Sequence, residues 1–513
     1  MEYLRAARSY AIILTGLFLF VGTITASHHE MWRDEIQAWL TARDSSSFID
    51  LFRNLKYQGH PGLWYIFLLP LTRITPSPIV MQAFHLLIAA MSVYLFVRYS
   101  PFTRLQKFLF SFGYFSIYEY SILCRNYALG VLLLCLFCVL FQQRYAKFLW
   151  VGAVLFLLEQ TSVHALIIAI GIGCALLADY LLRRKEILTD DTVHRRHIWL
   201  GFSLIALGAI LSVWQLIPPA DSGFAVGWKF RYNAAALKHV IQLMTRAFFP
   251  VPQAKLDFWE WESGWLEQYP LFTKIQFPLS SLLVVWCSLV LRRKPIALLT
   301  YLTGTIGLLS FFYLKHFGEI RQHGFLFVLF IIAAWIYRDA EEAKGFTRGE
   351  RPGSIWEKSI NPVLTFILIF HVIGGITAVR MDIRYVFSYG KAAAEFIKAG
   401  NMQEMVIVGE RDSAVSTIVG YLQRKQVYYP RGDRFGSFII FDKARTDDVS
   451  DAQVVQKAKE LGMKSKQDVL IILTRDLPRD LTFQSSLTEL ARFTGSTVQS
   501  EKFYLYLMRW QMG

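Results

Sequence analysis

The chain has 513 residues, 54% of them apolar, and a formal net charge of +15. A helix that crosses a bilayer needs about 20 mostly apolar residues. We count about eleven such runs in the first three quarters of the chain, which excludes a soluble globular protein. The basic residues lie in short clusters between these runs. That pattern is typical of cytoplasmic loops and argues against a nucleic-acid partner.

The N-terminal part predicts the orientation of the chain. Arg5 and Arg8 precede the first apolar run, residues 10–26, so we expect a cytoplasmic N-terminus and an uncleaved first helix. The polar segment that follows then forms an outer juxtamembrane loop, residues 27–77. Within that loop, residues 60–74 are apolar but too few to span comfortably, so we expect an interfacial or re-entrant helix there.

The remaining apolar runs alternate in direction, and every dense basic cluster then lies on the cytoplasmic side. A second outer loop, residues 218–270, carries an amphipathic stretch at 234–249 and a Trp-rich cluster at 258–262, which suits the depth of the lipid headgroups. Ten further spans are predicted. The first three cover residues 78–98, 107–121 and 125–141, and the next two form a pair that meets at residues 159–161. A sixth covers residues 199–217, a seventh ends at 292–294, an eighth ends at 315–316, and the last two cover 324–337 and 362–379.

The tail differs from the rest of the chain in its pattern. Polar helical stretches alternate with short runs of β-branched and aromatic residues, which indicates a small α/β domain. We therefore predict a polytopic α-helical membrane protein with about eleven transmembrane helices in residues 1–379. The C-terminal extracytoplasmic α/β domain occupies residues 380–513. Its strands are predicted at residues 405–408, 427–429, 438–441, 469–473 and 503–507.

The cysteines and histidines give little sign of a bound cofactor. Each cysteine lies in or beside an apolar run, so the sequence predicts neither a disulfide framework nor a zinc site. Adjacent His28 and His29 suit shared metal ligation poorly. No cofactor is therefore indicated, although a divalent metal remains an alternative. The cysteines are Cys124, Cys135, Cys138, Cys174 and Cys287.

The strongest candidate site is the segment Trp32-Arg33-Asp34-Glu35, directly beyond the first helix. A carboxylate at that position could meet both a lipid and an aqueous substrate. Held in place, it could take the proton of an attacking hydroxyl. The alternative is an ordinary solvated loop charge.

Further candidates lie near the predicted outer ends of later helices. Glu119 is followed by Arg125-Asn126-Tyr127 at the start of an apolar run, and a guanidinium fork matches the geometry of phosphate. The alternative is an arginine that snorkels to the headgroups. Lys315 and Arg321 belong to a charged cluster between two later spans, which could equally be a plain loop. His164 lies close after Thr161, where a structural histidine is the alternative.

The order of these motifs resembles the GT-C superfamily of integral membrane glycosyltransferases. Asp-Glu in the first outer loop is followed by Gly59-His60-Pro61-Gly62-Leu63-Trp64-Tyr65, similar to a His-Pro-Pro-Leu-Tyr-Tyr-like segment of the protein O-mannosyltransferase and aminoarabinose-transferase type, glycosyltransferase family 39-like. Here Gly62 replaces the second proline. The resemblance covers about residues 1–379.

The resemblance implies roles for individual residues. Asp34 would be the catalytic base, with Glu35 beside it as a donor or acceptor ligand. Arg125 and Tyr127 match an Arg-x-Tyr-Ala-Leu segment that meets the lipid phosphate. The other residues that it places at the donor or acceptor are His60, Glu119, His164, Lys315 and Arg321.

The expected reaction transfers a sugar from a polyprenyl-phosphate-linked lipid donor to a hydroxyl-bearing acceptor, with inversion at the anomeric carbon. The acceptor could be a glycan, a lipid or a protein. The chain has no Asn-x-Ser/Thr sequon, which favours a bacterial inner membrane. A transporter or flippase of lipid-linked sugars is the alternative. It would need polar groups along a path near the bilayer midplane, whereas the candidates gather at one face.

Overall fold

The structure is a computed structural model that describes residues 2–223, 227–259, 264–342, 354–484 and 487–510. Its first part is helical throughout. In chain order these helices are α1 (Glu2–His28), α2 (Arg33–Asp44), α3 (Phe48–Leu55), α4 (Leu63–Ile74), α5 (Ile79–Tyr99), α6 (Arg104–Ser111), α7 (Tyr127–Phe141), α8 (Phe148–Glu159), α9 (Val163–Ile187), α10 (Arg195–Leu216), α11 (Ala234–Phe248), α12 (Pro270–Leu291), α13 (Pro295–Leu314), α14 (Ile320–Glu342) and α15 (Ile355–Arg384).

The apolar helices confirm a polytopic integral membrane protein. Among the residues that the structure describes, eight helices are long and apolar enough to cross a bilayer: α1, α5, α9, α10, α12, α13, α14 and α15. Helices α4, α7 and α8 are apolar but shorter. Helix α4 corresponds to the short apolar helix that was predicted within the first outer loop.

The third predicted span is not one continuous helix. Helix α6 ends at Ser111, and a separate π-helical turn runs from Phe115 to Glu119. The break falls at Gly113, where a Cβ atom would lie only 2.9 Å from the Cβ of His371 on α15. Close approach of α15 therefore requires the glycine, and the wider turn places Glu119 at its end. Single π-helical turns are frequent at functional sites.

Glycines also let α8 and α10 pack closely. A Cβ atom on Gly152 would lie 2.5 Å from the Cα of Gly201, and one on Gly201 would lie 2.7 Å from the carbonyl oxygen of Phe148. Backbones can approach this far only where side chains are absent, which is a common way for helices to associate in a membrane.

Helix α2 is polar in sequence but almost entirely buried. From Glu35 to Arg43 every residue is buried, because α2 lies between the membrane helices and the C-terminal part of the chain. On one side Trp39 donates its indole N–H to the carbonyl of Pro76, and on the other Ile36 packs against Gly420. Two parts of the molecule therefore meet on this helix.

The tail forms one mixed sheet with helices on both faces. The described strands lie in the order β3-β2-β1-β4-β6-β5, with β1 parallel to both β2 and β4 and the other pairs antiparallel. The elements are α16 (Gly390–Ala399), β1 (Val406–Gly409), α17 (Asp412–Leu422), β2 (Val427–Tyr429), β3 (Arg434–Gly436), α18 (Asp451–Ser465), β4 (Val469–Leu473), α19 (Arg479–Gln484), β5 (Leu487–Phe493) and β6 (Phe503–Met508).

The α/β character of the tail is confirmed, with three differences in its strands. The short strand β3 was not predicted. Residues 438–441 are not a strand, because both backbone polar groups of Ile439 are bonded to the amide side chain of Gln37. Strand β5 was not predicted, since exposed charged residues interrupt its apolar pattern. Helix α15 continues to Arg384, past the predicted division at residue 379. The division itself stays a prediction.

Candidate active site

Asp34 lies in the first turn of α2, and its side chain is 32% exposed. Two guanidinium groups approach the same carboxylate oxygen. Nη1 of Arg125 is 3.5 Å from Oδ2, and Nη2 of Arg321 is 3.6 Å from it. Arg125 also donates to the backbone carbonyl of Asp34 at 2.7 Å. Residues from three distant stretches of the chain thus meet at one carboxylate, and the roles that the resemblance implied for them stay predictions.

His60 completes this group on the Arg125 side. Its Nε2 is 3.2 Å from Nη2 of Arg125. A guanidinium can only donate, so this ring nitrogen must be the acceptor of a neutral imidazole. Burial and the neighbouring Arg125 charge lower the pKa of His60 to about 3, although Asp34 acts in the opposite direction. At physiological pH the group therefore comprises two cations, one anion and one neutral ring.

The charges around Asp34 keep it ionised. Burial raises the pKa of Asp34, but the positive charges of Arg125 and Arg321 outweigh that effect, and the net pKa is below its ordinary value. The carboxylate can consequently accept hydrogen bonds at any pH near neutrality.

Arg321 is held between two tryptophans. Its guanidinium carbon is 5.6 Å from the ring centre of Trp32 and 5.2 Å from that of Trp259, distances at which cation–π attraction is effective. The two indoles meet edge to face at 4.8 Å. Helix α14 begins at Ile320, so Arg321 is in its first turn. Within the described part of the chain its Nε has no hydrogen-bond partner.

Glu119 joins the site through Trp259. The hydroxyl of Tyr114 donates to its Oε1 at 2.8 Å, and the indole N–H of Trp259 donates to the same oxygen at 2.9 Å. Burial raises the pKa of Glu119, while Arg321 acts to lower it. Glu119 thus orients the tryptophan that supports Arg321. The Trp-rich stretch was predicted at headgroup depth, and its residues 260–262 lie outside the described residues.

Glu35 points into the protein, where its carboxylate is fully buried. Its Oε1 accepts from the backbone N–H of Cys124 at 2.6 Å, and its Oε2 accepts from the backbone N–H of Trp32 at 3.0 Å. The same Oε2 is 3.1 Å from Nε2 of His29, whose Nδ1 is 2.9 Å from Asp382. These contacts anchor the loop before α2. The predicted ligand role of Glu35 stays a prediction.

This buried chain of three ionisable groups was missed in the sequence. Burial disfavours a charge on His29, but Asp382 and Glu35 outweigh it and hold the pKa of His29 well above its ordinary value. The available signal was Asp382 itself, an acidic residue in the last turns of an apolar helix, where a charge needs a partner. Among the described residues no group of three or more metal-ligating side chains is placed to hold an ion.

Three further predicted residues lie on other helices: Tyr127 begins α7, His164 is in the first turn of α9 and Lys315 directly follows α13. The hydroxyl of Tyr127 accepts from the side-chain amide of Gln322 at 2.9 Å, and its ring centre is 6.1 Å from that of His164. His164 is buried among aromatic rings, and neither of its ring nitrogens has a hydrogen-bond partner among the described residues. Lys315 lies over the ring of Trp228 at 5.1 Å. Their predicted roles stay predictions.

Trp259 also forms one wall of a neighbouring cleft. This cleft has about 610 Å³ of space, partly open to solvent, between α11, α12 and the start of α14. Its polar lining includes the ion pair of Arg246 and Glu267, with atoms 2.5 Å apart, and the carboxyl of Glu319.

The membrane helices, the buried helix α2 that carries Asp34 and the C-terminal sheet domain together form an ArnT-like fold. The chain is similar to the crystal structure of ArnT from Cupriavidus metallidurans in the apo state. The TM-score is 0.51 and the identity is 12%, over 98% of this chain and 98% of that one. For a crystal structure of ArnT from the same organism bound to undecaprenyl phosphate, the TM-score is 0.49 and the identity is 12%, over 97% of this chain and 98% of that one.

No family model matches the chain, and no curated protein sequence matches it. At 12% identity, the structural likeness shows the fold alone.

Proposed function

We propose that this protein is a glycosyltransferase that moves a sugar from a polyprenyl-phosphate-linked donor to a hydroxyl acceptor, with inversion. The observation that carries the proposal is the position of the Asp34 carboxylate between the guanidiniums of Arg125 and Arg321. A prospective base and two prospective phosphate ligands are there in direct contact.

The charge balance favours an anionic ligand. Arg125, Arg321 and Asp34 together carry a net charge of +1, and the two arginine side chains are only 13% and 12% exposed. Ion-pair distances of 3.5 and 3.6 Å exceed the roughly 2.7–2.9 Å of a strong charge-assisted hydrogen bond. The Asp34 carboxylate therefore forms only long ion pairs with the two guanidiniums, although Arg125 also donates to the Asp34 backbone carbonyl. The phosphate of a lipid carrier offers oxygens with the matching geometry.

Binding of that phosphate would also activate Asp34. When the guanidiniums turn to the phosphate, their charges are partly neutralised, and the pKa of Asp34 rises from its lowered value. A carboxylate of higher pKa is a better general base, because proton transfer becomes more favourable. The donor would thus prepare the base for the acceptor, which would limit reaction in the absence of donor.

The chemical step balances as a single displacement. The acceptor hydroxyl passes its proton to Asp34 as its oxygen forms a bond to the anomeric carbon. The bond from that carbon to the phosphate oxygen breaks, and the electron pair leaves on the carrier phosphate. Arg125 and Arg321 stabilise the charge that develops there, and fixed charges of this kind are usually the largest catalytic contribution. Attack opposite the leaving group inverts the configuration.

The proposed site is on the extracytoplasmic side of a bacterial plasma membrane. This orientation follows from the basic clusters between the spans. Because the tail packs on α2 through the contact of Gly420 with Ile36, the tail and Asp34 lie on the same side of the membrane. An acceptor would approach between them.

The proposal is tested with Asp34→Asn in purified protein. The amide keeps the shape and loses the base, so we expect turnover to fall by about 10² to 10⁴ while donor binding persists. Asp50→Asn is the matched control, because the Asp50 carboxylate in the first turn of α3 accepts from Ser46 and pairs with Arg53, both close to it in sequence. Full turnover in Asp34→Asn would assign the base to another residue.

The same purified protein also distinguishes a transferase from a transporter. A transporter has no net reaction in detergent, whereas a transferase releases carrier phosphate there once acceptor is present. Mass spectrometry of lipid that copurifies with the protein would identify carrier and sugar together. Recovery of a polyprenyl-phosphate sugar with no turnover under any acceptor condition would favour transport.

A further inference from the structure

The start of α2 has no side-chain acceptor at its N-cap position, although Glu35 accepts locally from the backbone N–H of Trp32. The first N–H groups of a helix have no partner within it and need acceptors from elsewhere. Serine, threonine, aspartate or asparagine usually supply one at the N-cap position. Here that position holds Trp32, whose indole has no acceptor, and it makes no side-chain cap hydrogen bond.

The acceptor comes instead from the far end of the chain. The backbone N–H of Arg33, the first residue of α2, donates to Oε1 of Glu501 at 2.9 Å across a separation of 468 residues. The other carboxylate oxygen accepts from the hydroxyl of Ser388 at 2.5 Å. Glu501 is fully buried. The neighbouring Ser500 accepts from the guanidinium of Arg33 at 2.9 Å.

The turn that carries Glu501 is itself fixed to the end of the membrane part. Between β5 and β6, the backbone N–H groups of Thr497 and Val498 donate to the carbonyls of Val386 and Phe387 at 2.9 and 3.0 Å. Val498 packs into the same apolar cluster as the membrane helices. The β5–β6 turn, residues 494–502, thus bridges the exit of α15 and the first turn of α2.

A second contact from the tail holds the residues before α2. The backbone N–H of Met31 donates to the hydroxyl of Tyr421, at the end of α17, at 2.9 Å. Asp34 is one residue beyond the N–H held by Glu501. Any rotation of the first helical turn would therefore move its carboxylate away from Arg125 and Arg321.

We infer that the C-terminal domain positions the catalytic base, with Glu501 as the positioning residue that caps α2 from the β5–β6 turn. This inference rests on the proposed function of Asp34. Burial raises the pKa of Glu501 to about 7, against its hydrogen bonds from Ser388 and Arg33. The charge of Glu501 therefore changes with pH near neutrality, whereas its hydrogen bond from the backbone N–H of Arg33 does not depend on that charge.

The test compares Glu501→Ala, Glu501→Gln and Glu489→Ala in the full-length protein. Glu489 is the matched control, because it is an acidic residue at the same end of the chain that pairs with Arg492 on the sheet edge. Hydrogen exchange of peptides from the first turn of α2 reports the cap directly. Donor affinity and the separate values of kcat and KM report its effect on catalysis.

In Glu501→Ala we expect exchange of the first turn of α2 to be about ten-fold faster, within the range for loss of a helix cap. We expect kcat to fall with it, while donor affinity is unchanged. Glu501→Gln should restore most of the protection and of kcat, since its amide oxygen still accepts from Arg33. Its kcat should lose any pH dependence that comes from the Glu501 charge.

Unchanged exchange in Glu501→Ala would overturn the inference. So would faster exchange with unaltered kcat in an active enzyme. If the parent protein transferred no sugar from any donor, the proposed function would fail, and the exchange measurement alone would still decide whether Glu501 caps α2.

Discussion

Replacement of Arg125 is the sharpest test of how the site holds its donor. The residue directs one nitrogen to Asp34 and the other to His60, and its side chain is only 13% exposed. If a donor phosphate takes the place of the Asp34 carboxylate, Arg125→Ala loses one charge-assisted hydrogen bond or its equivalent. Such a bond contributes about 1.5–3 kcal/mol, which weakens donor binding roughly 10- to 150-fold.

Lysine should restore part of this loss. Arg125→Lys keeps a positive charge but not the planar fork, so we expect about half the free energy to remain, or a donor affinity roughly 3- to 10-fold below the parent. Isothermal titration or fluorescence competition with polyprenyl phosphate in detergent measures these values. Arg184→Ala, an exposed arginine in the last turn of α9, is the control.

The same variant should alter the pH profile. The charge of Arg125 lowers the pKa of Asp34, so its removal raises that pKa and moves the acid limb of the rate profile to higher pH. If both variants bound donor like the parent, with the acid limb unmoved, Arg125 would not be a phosphate ligand and Arg321 would take its place. Melting temperatures within a few degrees of the parent would exclude unfolding as the cause.

Four other results are expected. A thiol introduced at the exposed position 49 should be labelled in intact cells and one at position 345, which lies outside the described residues, should be protected; the reverse would invert the topology. A chain that ends after α15, near residue 385, keeps Asp382 and should bind donor but lose transfer, because the tail contacts on α2 are gone, and unchanged transfer would contradict this. Trp259→Phe should lower turnover, since Glu119 and Arg321 both lose a contact, whereas parental kinetics would make the indole dispensable. The folded state should lose stability as the pH falls below about 6.5. The pKa of His60 is about 3 in the folded protein, so the unfolded chain binds that proton first. His60→Asn should reduce this loss of stability in acid denaturation.

The sequence was a good guide to the helices and a poorer guide to the contacts between them. Hydropathy located the spans because each one must satisfy its own backbone in lipid. It could not show that Gly113 ends a helix, since the reason is the position of His371 on a helix far along the chain. In the tail, tertiary hydrogen bonds from Gln37 to Ile439 overrode the β propensity of residues 438–441.

For the candidate site too, the sequence was a better guide to the residues than to the contacts between them. Residue types and the family resemblance selected Asp34, Arg125, Arg321 and His60, and the structure brings these four together. Sequence spacing could not tell that Glu35 turns inward, because its direction depends on His29 and on a partner 353 residues from that histidine. Helical periodicity assigns adjacent residues to different faces of a helix, but it does not show which face meets the substrate.

The cap on α2 also sets an order of events during synthesis. Ribosomes add about 5–20 residues each second, so the 468 residues between Arg33 and Glu501 take on the order of half a minute or more to make. The contacts of Met31 with Tyr421 and of α2 with Ile439 are likewise completed late. Throughout that interval a nascent chain carries Asp34 and Arg125 without the turn that caps α2. If the cap positions Asp34 as inferred, the site is aligned only after the β5–β6 turn has been made.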